Sequence, residues 1–226
     1  MKPYQPVVLK ILRELKPASI LDAPSGSGWL GNSLDRACEI DGLDLYTQHR
    51  PPYGRFANGN LDEGIPDDFP TYDCIVSCEG IEHLLTPALF MRHAKNHLNP
   101  GGTIILTTPN VWYPGAKLQY FLRGFFPSFP NLVDQIKPGS HMHVTPWSFP
   151  QLYLVLRLLG FENITLHPTD VPAPKHFYER ILGLPHALYC RSKLRQAQTP
   201  ESRDFWQMAG SPASLYARGL VVSATV

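Results

Sequence analysis

Apolar and polar positions alternate along the chain with two periods. Val7, Val8, Ile11, Leu12 and Leu15 fall at helical spacing and stop before Pro17, which predicts an amphipathic first helix. A short apolar run over 19–23 ends in a glycine- and serine-rich loop at 24–28, and 29–37 resumes a helical pattern, so this unit reads strand, loop, helix. Residues 39–46 predict a second strand and 55–61 a short third one. The continuous apolar run 72–78 has the pattern of a strand buried on both faces. After Pro87, the positions Leu89, Phe90, His93, Ala94 and His97 predict a helix that stops at 99–102, and a fifth strand follows at 103–108. The stretches 109–148 and 168–212 break the regularity; between them 150–160 predicts a helix and 161–167 a strand, and 217–225 predicts a closing strand. Strands alternating with helices through short loops predict a parallel sheet covered by helices on both faces. The chain is expected to form one domain over 1–226, with the two irregular stretches as insertions serving as a lid over a bound molecule.

Composition narrows the function classes. Among 226 residues, 43% are apolar, 17% are charged and the formal net charge is +1, which argues against disorder and against a basic surface for nucleic acid. The apolar N-terminal stretch is broken by Lys10 and followed by Arg13, Glu14 and Lys16, unlike a secretory leader, and no run approaches the ~20 apolar residues of a membrane span. Cys38, Cys74, Cys78 and Cys190 show no paired spacing and read as reduced, cytoplasmic thiols. Proline, at 23 residues, is over-represented, and many of the prolines fall between elements and in the second half, where they punctuate loops.

Gly26, Gly28 and Gly31 follow the first strand with GxGxxG spacing, and Asp44 ends the next strand, a pattern that also fits a dinucleotide site. Charge decides between the ligands. Asp22 ends the first strand, and Glu79 and Glu82 follow the fourth, so three carboxylates crowd the edge where such sheets bind ligands. They would repel a pyrophosphate and attract the sulfonium and ammonium of S-adenosylmethionine.

The segments LDAPSGSG, GLDLY, GNLDEGIP, YDCIVSCEGIEHL and LNPGGTIILTTPN occur in this order over about 1–110 and resemble the motifs of class I, Rossmann-like S-adenosylmethionine-dependent methyltransferases, especially the small bacterial enzymes of the ubiquinone-biosynthesis type. The resemblance implies a three-layer α/β sandwich around a mostly parallel, seven-stranded sheet with an antiparallel last strand. It also implies that Asp22, Ala23, Gly26 and Gly28 hold the methionine end of the cofactor, Asp44 and Leu45 the ribose, Asn60 and Leu61 the adenine, and Cys78 and Glu79 the floor under the sulfonium. Two positions depart from the family pattern. Pro24 replaces its first glycine, and Asn60 replaces an acid but can still accept a hydrogen bond from an amino group.

Methyl transfer asks the protein to align an acceptor and, for a hydroxyl, to help remove its proton, a task suited to histidine. His83, just after the fourth strand, is placed near the acceptor by the resemblance, and His141 and His143 lie on the return from the first insertion, where alternate residues of an extended segment share a side. These three are the candidate catalytic residues. No further ligand is spaced around His141 and His143 in the sequence, so no metal is expected. His93 and His97 sit four apart and suggest a half-exposed helical face. The aromatic stretch 112–130, with Trp112, Tyr113, Tyr120, Phe121, Phe125, Phe126 and Phe129, reads either as a lid over the acceptor or as an accessory helix packed on the sheet. Its sharper form is a lipid-like acceptor with shallow membrane contact, without a stable anchor.

The expected function is methyl transfer to an oxygen of a small molecule such as a quinone precursor, natural product or sugar, by a monomer or homodimer. Two alternatives stand beside it: a nicotinamide-dependent oxidoreductase, and a non-catalytic S-adenosylmethionine-binding protein.

Overall fold

The computed structural model describes residues 2–34, 38–46, 52–129, 142–169, 174 and 176–226. Helix α1 (Gln5–Leu15) buries Val8, Ile11 and Leu12, and it ends where Lys16 takes a left-handed conformation ahead of Pro17. Strands β1 (Ser19–Asp22), β2 (Glu39–Asp44), β3 (Phe56–Asn58) and β4 (Tyr72–Cys78) follow, then helix α2 (Pro87–Asn96) and strand β5 (Leu98–Pro109). Helices α3 (Pro114–Arg123) and α4 (Phe149–Leu158), strand β6 (Glu162–His167), helices α5 (Phe177–Gln196), α6 (Pro200–Ala209) and α7 (Pro212–Leu215), and strand β7 (Gly219–Thr225) complete the order.

The seven strands form one sheet in the order β3-β2-β1-β4-β5-β7-β6. All pairings from β3 through β5 are parallel, while β7 runs antiparallel to both β5 and β6. The mostly parallel, seven-stranded α/β architecture expected from the sequence is therefore the one observed.

Period-2 alternation divides the core between the two faces. Leu21, Ile75, Ile104, Leu106, Leu220 and Val222 join Phe90, Met91, Leu152 and Leu156 of α2 and α4 on one face. Ile20, Cys74, Val76, Ile105 and Val221 join Val8, Ile11 and Leu12 of α1 on the other. With β1 and β4 buried on both faces, their carboxyl ends lie at the point where the strand order reverses, the place where open α/β sheets bind ligands.

Three local expectations differ from the structure. Among the described residues of the helix foreseen after the glycine loop, which end at Leu34, the helical part is a 3-10 turn, Gly31–Ser33. Asn32 donates through Nδ2 to the Gly28 carbonyl and Ser33 through its hydroxyl to the Trp29 carbonyl, and such local side-chain bonds compete with helix formation. The segment 99–102 does not precede β5 but lies within it, where the register against β4 shifts between Tyr72 and Cys74 and Gly101 takes a φ of +76°. Much of 168–212 is helical, in α5 to α7. Pro185 stands inside α5 and hides it from a reading in which proline breaks helices. That helix leaves Phe177, Ile181, Leu184 and Leu188 largely exposed. Among the described residues, no helix is long and apolar enough to cross a membrane.

Candidate functional site

The loop after β1 is built by two glycines and one carboxylate. Gly26 and Gly28 have φ of +51° and +75°, the left-handed region that L side chains avoid. A Cβ at Gly26 would meet no atom of the described residues within 4 Å. Asp44, at the end of β2, ties the loop down: Gly26 N–H donates to its Oδ2 at 2.8 Å and Tyr46 N–H to its Oδ1 at 3.0 Å. Pro24 is accommodated because the left-handed turns fall after it, at 26 and 28.

Asp22 is buried at the end of β1. Its Oδ2 accepts the Tyr53 hydroxyl at 2.6 Å, and its Oδ1 is buried without a hydrogen-bond partner among the described residues. Burial raises its pKa to about 7; the Tyr53 hydrogen bond offsets part of that shift and the nearby Asp44 charge adds to it. A buried carboxylate oxygen without a donor is costly to the protein alone, and a ligand carrying an ammonium or other donor relieves that cost. Tyr53, itself buried, was not foreseen, since nothing in its proline-rich surroundings marks it as Asp22's partner.

The end of β4 carries more acid. Glu79 holds a φ of +53°, unusual for a residue with a Cβ, and its N–H donates to the Thr107 carbonyl at 3.0 Å. Burial pushes its carboxyl above the ordinary range, and burial holds the adjacent Cys78 thiol protonated. Tyr4, ahead of α1, was also missed: burial first, then the neighbouring acidic groups of Cys78, Glu79, Glu82 and Asp22, raise its phenol pKa, so its hydroxyl shares this acidic surround.

The remaining expected cofactor positions take distinct places. Ala23 is fully buried, Leu45 is exposed at the rim of the edge, and Asn60 is half-buried, with its side-chain oxygen accepting the Asp62 N–H at 3.1 Å. Leu61 packs into the core, so its backbone rather than its side chain is what this position can offer to a ligand.

Beyond Glu79 the chain makes a 3-10 turn, Ile81–His83, onto which the segment 142–147 is stitched. The Glu82 carbonyl accepts from Val144 N–H at 2.9 Å and Thr145 N–H at 3.0 Å, and the Thr145 hydroxyl donates to the Leu84 carbonyl at 2.7 Å. Glu82 Oε2 accepts the Thr108 hydroxyl at 3.1 Å. Burial, then the charge of Glu79, raises the Glu82 pKa to about 8. His83 Nδ1 lies 2.9 Å from the Met142 carbonyl, and the rings of His83 and His143 meet edge to face with centroids 4.9 Å apart.

Glu82 and His143 form the polar wall of a cavity of about 220 Å³. Tyr120, Phe125, Phe126 and Phe129 form an aromatic wall and Trp147 closes it from the sheet side. The aromatic stretch thus contains a helix, α3, and also lines a cavity, so both readings of it hold in part. His141 lies outside the described residues. His93 and His97 stand away from this cavity, and His97 is buried rather than half-exposed because it caps α2, its backbone N–H and Nδ1 both reaching the His93 carbonyl. The reading that nothing is spaced to join His143 as a ligand holds along the sequence but fails in space, because Glu82 and His83 fold against it.

Comparisons with known proteins agree with this geometry. A family model described as a methyltransferase domain matches residues 2–166. The chain is 30% identical over 110 residues to a ubiquinone biosynthesis O-methyltransferase of Azorhizobium caulinodans, which covers 44% of this chain and 43% of that protein. It is 28% identical over 114 residues to a probable S-adenosylmethionine-dependent methyltransferase of Mycolicibacterium smegmatis, covering 47% of this chain and 44% of that one. These alignments thus span less than half of each relative's length. The crystal structure of an S-adenosylmethionine-dependent methyltransferase from Mesorhizobium loti superposes with a TM-score of 0.56 at 15% identity, covering 100% of this chain and 98% of that one, a likeness of fold. With its glycine loop, acidic strand ends and sheet order matched by a family model over most of its length, the chain belongs to the methyltransferase-domain family of S-adenosylmethionine-dependent enzymes.

Proposed function

We propose that this protein transfers a methyl group from S-adenosylmethionine to an oxygen of a small, largely apolar acceptor. The observation that carries the reading is the pair of compartments meeting at the end of β4. The acids Asp22, Asp44 and Glu79 stand at the carboxyl ends of β1, β2 and β4, and an aromatic cavity has a polar wall that begins at Glu82, three residues beyond Glu79. The cofactor supplies an activated methyl carbon when bound. Asp22, Ala23, Gly26 and Gly28 take its methionine end, where the Asp22 Oδ1 lacks a donor among the described residues. Asp44 and Leu45 border the ribose, Asn60 and Leu61 the adenine, and Cys78 and Glu79 lie beneath the sulfonium.

Transfer to oxygen is supported by the cavity's two kinds of wall. Aromatic rings suit a ring or chain of the acceptor, while Glu82, His83 and His143 gather at one end where a hydroxyl proton can be drawn off. The nicotinamide alternative is disfavoured by the same features. The carboxylates oppose a pyrophosphate, and the 3-10 turn Gly31–Ser33 stands where such a site needs the first turn of a helix.

Titration calorimetry with S-adenosylhomocysteine and, separately, with NAD tests the cofactor. Binding of S-adenosylhomocysteine alone is expected; binding of NAD alone overturns the proposal. A panel of phenols and alcohols with labelled methyl donor then tests the acceptor, and label found only on nitrogen or carbon acceptors removes the assignment to oxygen.

A further inference from the structure

We infer that helix α5 docks its outer face on an anionic lipid bilayer, lying in the plane of the membrane surface with the end of α3 beside it. The docking does not rest on the function proposed above; the use it offers, access to an apolar acceptor held in the bilayer, does.

The helix presents two opposite faces. Glu179, Gly183 and Cys190 are buried, and half-buried His186 completes their line. Glu179 pairs with Arg218, a side chain at Gly183 would collide with the Tyr216 ring, and Lys117 Nζ of α3 lies 3.0 Å from His186 Nδ1. Phe177, Ile181, Leu184 and Leu188 repeat this spacing two residues earlier, a rotation of roughly 200° that sets them on the far side of the helix. All four are 54–77% exposed. An apolar stripe of this length on the outside of a folded chain marks contact with something apolar.

Charge selects the occupant. Arg191 and Arg195, both exposed, continue the line of Leu188 by helical steps, and Arg180 stands exposed beside the stripe. Glu179 is the single acid of α5 and is buried against Arg218, while residues 111–130 contain no Asp or Glu and leave Arg123 exposed. The outer face therefore joins apolar side chains to guanidinium groups that no exposed carboxylate of either helix offsets. A helix of this composition suits the lipid interface, where apolar side chains enter the acyl boundary and arginine stems extend so that their heads meet phosphate. Tyr178 and Tyr189, also exposed, add rings suited to headgroup depth. A second copy of the chain docked through the same face would bring the same cations and no acid to meet them. The helix lies along the bilayer rather than through it, because its inner face packs on α3 and α6 and no helix among the described residues is long and apolar enough to cross.

From α5 the surface continues along α3 to the cavity. Phe121, 84% exposed, stands one turn beyond Lys117, on the side of α3 that reaches α5. Phe125 and Phe129 follow; both line the cavity and both are exposed. A bilayer held by α5 therefore adjoins the aromatic wall, and an apolar acceptor passes from lipid to cavity with its apolar surface covered.

The test is flotation of the full chain with two kinds of vesicle, phosphatidylcholine alone and an equal mixture of phosphatidylcholine and phosphatidylglycerol. Binding to the mixed vesicles is expected to be tighter by about tenfold or more and to weaken as salt is raised. Ile181→Ser together with Leu184→Ser is expected to weaken it by about tenfold or more. Arg191→Glu together with Arg195→Glu is expected to abolish the preference for the mixed vesicles, while Leu158→Ser, at an exposed apolar position of α4, leaves binding unchanged. If the serine pair alters the circular dichroism spectrum, the glutamate pair carries the test. Absence of binding by the unaltered protein overturns the proposal, as does equal binding to both kinds of vesicle or binding that survives both α5 pairs. A dimer in sedimentation that the serine pair dissolves gives the face to a second copy and overturns it too. Calorimetry with S-adenosylhomocysteine separates the two readings: cofactor binding without vesicle binding refutes only the docking, and vesicle binding without cofactor binding refutes only the transferase.

Discussion

Replacing Asp22 with asparagine should stabilise the ligand-free protein in alkaline buffer while weakening its hold on the cofactor. The carboxyl of Asp22 has its pKa raised from 3.8 to about 7, chiefly by burial. Between those values the folded chain binds more protons than the unfolded one, so stability is highest at low pH and falls as pH rises towards 7. At about 1.4 kcal/mol per pKa unit, moving from pH 5 to pH 8 removes about 2–3 kcal/mol on account of this one group. The substituted asparagine does not titrate and its carbonyl still accepts the Tyr53 hydroxyl, though its amide brings a buried donor of its own, which costs about 1–3 kcal/mol at every pH. The clean quantity is therefore a difference of differences. Asp22→Asn should gain about 2–3 kcal/mol relative to the unaltered chain between pH 5 and pH 8, or on the order of 4–10 °C in Tm for a domain of this size. Urea unfolding and scanning calorimetry at the two pH values measure it, and calorimetry with S-adenosylhomocysteine measures the loss of affinity. Other titrating groups, Glu82 among them, cancel because both proteins carry them. An identical pH dependence in the two proteins would falsify the argument, since it would mean Asp22 is not the buried, under-bonded acid described here.

Three further outcomes follow from the same geometry. Gly26→Ala should cost only about 1–2 kcal/mol of stability, from its left-handed φ with no atom of the described residues near enough to clash, yet greatly reduce S-adenosylhomocysteine affinity by placing a methyl group where the cofactor is proposed to lie; unchanged affinity in calorimetry contradicts the placement. Asp44→Ala removes the acceptor that binds Gly26 and Tyr46 and should weaken cofactor binding by about 1–3 kcal/mol, read from the same titration. His83→Ala and His143→Ala should lower turnover of an identified acceptor with little change in donor affinity, and loss of donor affinity instead marks them as structural.

Several elements could be read from the chain because their cause is local. β4 lies at 72–78 as its unbroken apolar run implies, since a strand buried on both faces needs apolar residues at every position. α1 and α2 sit where the periodicity and the flanking prolines set them. Asp22 and Asp44 could be assigned to the ligand edge because each directly ends a recognisable strand. The resemblance supplied what periodicity does not carry, namely that the last strand turns antiparallel and that the cofactor is S-adenosylmethionine.

What escaped was decided by partners distant along the chain or by competition within a few residues. In the described part of the segment after the glycine loop, a 3-10 turn stands in place of an α-helix, with the short side chains of Asn32 and Ser33 bonding nearby backbone. α5 keeps its helix through Pro185 in the company of α3 and α6, support that a local pattern does not reveal. Tyr53 reaches Asp22 across 31 residues, and His83 reaches Met142 across 59. Local order follows from residue spacing because hydrogen bonding and side-chain direction repeat every two or 3.6 residues. The meeting of Glu82, His83 and His143 obeys no such period. It exists because the returning segment is pinned to the turn after β4, and only the folded chain brings those atoms together.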